Sequence, residues 1–264
     1  MAGAQPSGRA GHSRYHRHVL AAPWRALGVA VAAQLGRFGV IVLGLALAPL
    51  VGIFGWFAGL FVNALCCLYA AALITGSRSW RSIGFLTPWR GWVAALLLLV
   101  PFAEALSWVV PDGPVDRPPG YALWALSLLM VGFNEELTSR GFVLGRLGRD
   151  FGAGAAVTIT AALFGLQHLS LLLTTSRGTV DMLTNVLASA CYGFGLAAFQ
   201  YRFAWITPLI LVHALSDFTT LLASNPFGDL VVTLISVIYL AYGGVILWSL
   251  RGRAALRRPG AATR

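Results

Sequence analysis

The chain alternates long apolar runs with short breaks rich in polar residues, proline or glycine. Eight runs stand out, at 27–48, 53–75, 91–110, 121–145, 153–173, 180–200, 203–223 and 229–250. A bilayer core requires about 20 predominantly apolar residues per helix, and each run reaches that length. The pattern predicts an all-α fold, a polytopic transmembrane helix bundle of about eight spans. Residues 1–26 read as a basic cytoplasmic or interfacial lead and 251–264 as a basic cytoplasmic tail, leaving 27–250 as one membrane domain. No apolar segment with a small-residue cleavage site follows at signal-peptide distance, so no processing is expected. No internal repeat or low-complexity tract breaks the pattern.

Composition sharpens this. Of the residues, 58% are hydrophobic and 11% charged, against about 25% charged in soluble domains. A soluble globule with that balance could not cover its surface with polar groups. A cytosolic enzyme, a disordered tail and a secreted disulfide scaffold are therefore excluded. The net charge of +10 is carried entirely by arginine, with no lysine. The arginines fall between apolar runs, which marks membrane orientation and no nucleic-acid partner. With the N-terminus inside, only Arg117 and Arg177 face outward, Arg37 and Arg140 lie within runs, and the others occupy interior segments. Both termini are accordingly expected in the cytoplasm. The arginine, alanine and glycine usage points to a GC-rich bacterial genome and hence to a bacterial plasma membrane. Cys66, Cys67 and Cys191 lie within runs without any CxxC spacing and read as packing residues. Small-residue spacing at Gly55–Gly59 and Gly141–Gly145 permits close helix approach and reads as ordinary helix packing. In the lead, His12 and His16 are i,i+4 and read as solvated or headgroup-facing.

Ionisable residues within the runs carry the candidate chemistry. A charge at the centre of a membrane helix costs about 2.5–3.5 kcal/mol on insertion scales. Three runs accept such residues in a pattern: Asn134-Glu135-Glu136-Leu137-Thr138-Ser139-Arg140, then Phe164-Gly165-Leu166-Gln167-His168, then His213-Ala214-Leu215-Ser216-Asp217. Glu136 and Arg140, at i,i+4, share a helix face and can pair. Glu135 points about 100° away and has no partner on its own helix, which suits a general base or acid. His213 and Asp217 share a face, and His168 on another helix is free to meet Glu135. If the helices pack, these groups form one buried polar site, open to hydrolysis, proton or ion transport, or metal binding. Gln34, Arg37 and Glu104 read as structural, with Arg37 either pairing with Glu104 or snorkelling. Asp181 reads as a helix cap.

The order Glu-Glu-xxx-Arg, Phe-xxx-His, His-xxx-Asp on membrane helices resembles the CPBP (ABI) intramembrane proteases. That family includes the type II CAAX prenyl endopeptidases and bacterial relatives linked to bacteriocin processing and immunity. The resemblance implies an endopeptidase cutting a membrane-embedded or membrane-anchored peptide or protein. It implies that Glu135 activates water, His168 helps hold it, and His213 and Asp217 face the scissile carbonyl. Glu136 and Arg140 would position the motif, and Phe164 would pack behind the histidine. A metal-free glutamate mechanism is favoured, with no obligatory cofactor. Zn2+ held by ligands from His168, His213, Glu135 and Asp217 is the alternative. A non-catalytic adaptor or immunity-type protein of the same family is the competing function, and a proton-relay transporter ranks below it for want of internal repeats.

Overall fold

A computed structural model describes residues 10–110, 112–173 and 178–256, with side chains over 23–110, 112–172 and 178–250. The side chains of His12 and His16, most of the basic lead, Arg177 and the basic tail lie outside the described residues.

The apolar runs fold as helices, α1 (Ala10–Leu47), α2 (Trp56–Gly76), α3 (Trp92–Ser107), α4 (Tyr121–Glu136), α5 (Leu144–Asp150), α6 (Ala153–Gln167), α7 (Thr179–Phe203), α8 (Ile206–Leu221) and α9 (Asp229–Leu256). A π-helical segment, Leu137–Val143, joins α4 to α5 without a break, so the described residues form eight helical rods. A 3-10 segment, His168–Leu173, extends α6. Five of the rods are long and apolar enough to cross a membrane: Pro23–Val51, Trp56–Gly76, Ala153–Leu172, Thr179–Phe203 and Asp229–Leu250. The helices Trp92–Ser107 and Ile206–Leu221 are apolar but shorter. The chain is therefore an all-helical integral membrane protein.

Pro23 lies within α1 and Pro101 within α3, a placement that membrane helices tolerate because neighbouring groups compensate the lost hydrogen bond. α7 packs between α6 and α9, while α4 packs against α2 and α8. α1 lies beside α2 and the π segment, and α3 beside α8. Many helix-facing positions are small: Ala26, Ala30, Ala94, Ala156, Ala197 and Ala198 are all fully buried. In lipid, where apolar side chains gain little by leaving the solvent, close backbone approach is what holds helices together.

Three of the four glycines the spacing singled out make no close approach. A side chain at Gly55, Gly59 or Gly145 would meet nothing within 4 Å, and only Gly141 faces a neighbour, Ile74. The tight contacts fall instead at Gly132 against the Ile210 carbonyl, Gly165 against the Val186 carbonyl, and Gly193 against Phe164. Spacing places two small residues on one face, but it does not say whether that face meets a helix.

The two ends of the bundle are fastened differently. At one end the segment between α2 and α3 locks onto the α7–α8 corner. Gln200 donates to the Ile83 carbonyl at 2.9 Å, Ile206 N–H to the same carbonyl at 3.1 Å, and the Trp205 indole to the Thr87 carbonyl at 2.7 Å. Gly84, at φ +73°, abuts the Ala204 carbonyl so closely that no side chain fits. At the other end the Val115 N–H donates to the Leu222 carbonyl at 2.7 Å, and Asn225 donates to Asp112 at 3.1 Å.

Candidate active site

Glu135 and Glu136 sit on the last turn of α4, immediately before the π segment. A π turn widens the helix by one residue and is frequent at functional sites. Glu136 is fully buried and Arg140 is 1% exposed, with His213 at 4% and Glu135 at 8%. At such burial each charge needs a partner.

Glu136 has two. His213 Nδ1 lies 2.8 Å from its Oε1, and Arg140 Nη1 lies 2.9 Å from the same oxygen. The pair allowed by the i,i+4 spacing is thus formed. Arg140 is not aligned for hydrogen bonding there, and its guanidinium lies over the Phe164 ring, 3.8 Å from the centroid. A cation on an aromatic face in a dry site is favourable. Gly193 on α7 makes room for this stack, since a Cβ there would sit 2.8 Å from Phe164 and 3.3 Å from Arg140 Nη2.

Glu135 is held from another helix. Arg37 Nη2 of α1 donates to Glu135 Oε1 at 2.8 Å, and Arg37 Nε donates to Asn134 Oδ1 at 2.8 Å. Glu135, with no partner on its own helix, thus takes its cation from α1, and the expectation for Arg37 is overturned, since it neither snorkels nor pairs with Glu104. The reason is packing order. α1 runs alongside the π segment and α5, a neighbour relation that periodicity does not encode. Glu104 on α3 instead accepts from the Trp108 indole at 2.6 Å, Ser216 Oγ at 3.1 Å and Tyr239 OH at 3.1 Å.

The second oxygen, Glu135 Oε2, has no hydrogen-bond partner among the described residues. It lies 3.8 Å from His213 Nε2, which is also 3.6 Å from Asp217 Oδ2. His168 Nδ1 lies 3.0 Å from the Phe164 carbonyl. A carbonyl only accepts, so Nδ1 carries the hydrogen, and the neutral ring presents Nε2 as an acceptor. The Phe164 ring meets both imidazoles edge-on, with centroids 5.2 Å from His168 and 5.9 Å from His213.

Two cavities flank this group. One, of about 500 Å³, is lined by Arg37, Glu135, Gln167, His168, His213 and Asp217. A smaller one, of about 160 Å³, has Glu104, Tyr192, Ser216 and Tyr239 in its walls and shares His168, His213 and Asp217. The histidines and Asp217 thus form a partition between them.

Residues 117–219 match the family described as type II CAAX prenyl endopeptidase Rce1-like. This stretch is an Rce1-like type II CAAX prenyl endopeptidase (CPBP) family domain. No curated protein and no solved structure matches the chain. The family domain contains both glutamates, Arg140, Phe164, both histidines and Asp217. Arg37 and Glu104 come from α1 and α3, outside the matched stretch. Family membership implies an intramembrane protease acting on a protein substrate.

The zinc alternative requires about three converging protein donors. Among the described residues no group of three His, Cys, Asp or Glu side chains is placed to hold a metal ion. Glu135 Oε1 is engaged by Arg37 and His213 Nδ1 by Glu136. The donor set among the described residues does not fit zinc.

Sequence reasoning missed Arg37, Asn134 and Glu104 as members of the constellation. The available signal was their own cost, since each is a polar or charged residue within an apolar run.

Proposed function

We propose that the chain is an intramembrane endopeptidase that hydrolyses a peptide bond of a membrane-associated protein or peptide through a Glu135-activated water. The observation that carries this reading is Glu135 itself. One oxygen is fixed by Arg37, and the other is buried, unpartnered and on the wall of a cavity shared with two histidines.

In this reading Arg37 keeps Glu135 ionised, and Oε2 accepts a proton from water. His168 Nε2 holds the water's other hydrogen, and the oxygen attacks the carbonyl carbon. His213, its Nδ1–H donating a hydrogen bond to Glu136, donates from a protonated Nε2 to the developing oxyanion, where donors placed in advance contribute most. Asp217 orients His213 and balances its charge, since an ionised carboxylate cannot itself donate. Glu135 then passes its proton to the leaving nitrogen, the C–N bond breaks, and an amine and a carboxylic acid result, the acid's proton passing through His168 to leave a carboxylate. Phe164 and Arg140 brace the histidines from behind.

The test compares protein termini, by quantitative mass spectrometry, in membranes holding wild-type protein or Glu135→Gln at matched abundance. Glu135-dependent new termini are expected. Identical termini, under conditions where deletion has a phenotype, would replace this reading with the adaptor or immunity function. A purified repeat with a chelator is expected to leave cleavage intact.

A further inference from the structure

Beside the larger cavity, between α1 and the C-terminal part of α6, lies an apolar groove of about 500 Å³. Its walls are chiefly Val31, Leu35, Phe38, Leu163, Leu166 and Leu172. Gln167 and Ser170 line both the groove and the cavity that contains Glu135 and His168, so the two spaces meet there.

Gln167 is anomalous in this setting. Its Nε2 and its Oε1 are both buried, and neither has a hydrogen-bond partner among the described residues. Across the groove, Gln34 gives its Nε2 to Ser139 Oγ at 3.1 Å, which leaves its Oε1 buried and unpartnered too. A buried amide donor and acceptor left unmade is expensive. Such groups persist where something else completes them.

A lipid tail in the groove would leave all three atoms unpaired. A peptide group is different, because it presents one N–H and one C=O. The Gln167 amide offers the matching acceptor and donor, and Gln34 Oε1 can take a neighbouring N–H. A membrane helix has its interior main-chain groups already paired, so the match is to a locally unwound segment, the form a protease must bind.

We infer that Gln167, with Gln34 opposite, is a main-chain binding site that holds an unwound apolar segment of the substrate at the junction of groove and cavity. Gln167 directly precedes His168, so a segment paired with it is delivered to the imidazole's side of the cavity. This inference rests on the protease reading, but its test does not require turnover.

The probe is a dansyl-labelled Leu/Ala peptide with a central Gly-Gly, in nanodiscs with the full chain carrying Glu135→Gln. Binding is read by energy transfer from protein tryptophan. A second probe replaces one Gly-Gly amide by an ester, removing a single N–H. Gln167→Leu is expected to weaken amide-probe binding about tenfold, the effect of one or two hydrogen bonds. The loss should be smaller for the ester probe, as a double-mutant cycle requires of a direct contact. Gln167→Met serves as a second variant should Leu fail to fold. Equal binding to the variants, equal losses for the two probes, or no binding without the substitution each overturns the proposal. Gln167-dependent binding of a probe that wild-type protein never cleaves would sustain the site while the protease reading fails.

Discussion

Arg37 and Glu135 meet at 2.8 Å with both side chains largely removed from solvent, so neither charge can turn to water if the other is lost. Removing one member of a buried pair typically costs about 3–5 kcal/mol, because the remaining charge is stranded. Arg37→Met is therefore expected to lower thermal stability by about that much, measured by unfolding in detergent. Adding Glu135→Gln should recover most of the stability, since a neutral amide no longer requires the cation, while cleavage stays absent. A double mutant as unstable as Arg37→Met would mean that Arg37 acts on the fold through Asn134. Glu135→Gln alone should reduce cleavage by at least about 100-fold, the usual scale for a general base. What was legible here depended on distance along the chain. Glu136 and Arg140 are one helical turn apart, and their pairing follows from α-helical spacing. Arg37 and Glu135 are 98 positions apart, and no rule of local spacing joins them.

Among elements, each of the eight apolar runs corresponds to one helical rod, and five of these rods are long and apolar enough to cross a membrane. The internal form of those rods was less legible. The sequence Leu-Thr-Ser-Arg-Gly-Phe-Val reads as ordinary helix, yet residues 137–143 wind as π. Every residue from Asn134 to Gly141 is buried, so no amphipathic period in the sequence marks the change of winding. Helix contacts were similarly hidden. Gly165 lies against backbone, with a Cβ placed 2.6 Å from the Val186 carbonyl and 3.2 Å from the Ala190 Cα, so α6 and α7 would have to separate to admit a methyl group. Gly165→Ala is expected to destabilise by about 1–3 kcal/mol, the range for forced overpacking. Because α6 carries His168 at its end, cleavage should fall with it. Gly145→Ala, with nothing within 4 Å, is the control and should leave thermal unfolding unchanged.

At the scale of the molecule, charge is sorted between the two ends, and that sorting predicts how the bundle sits in its membrane. The segment carrying Arg78, Arg81 and Arg90 is locked against the α7–α8 corner beside Arg202. A Cβ at Gly148, between Arg146 and Arg149, would sit 3.2 Å from the Tyr201 ring of the same corner. One end thus gathers six arginines, and the opposite end presents Asp112, Ser224 and Asn225. Arginine near helix ends favours the cytoplasmic side, so the arginine end should face the cytoplasm. The exposed positions Ser82 and Asp116 report on the two ends. With Cys66, Cys67 and Cys191 replaced by alanine, Ser82→Cys should resist a membrane-impermeant maleimide in intact cells and react in inverted vesicles. Asp116→Cys should do the reverse. The opposite labelling would invert the bundle, and with it the leaflet nearer the π segment, from which Glu135 and the cavity beside it are reached.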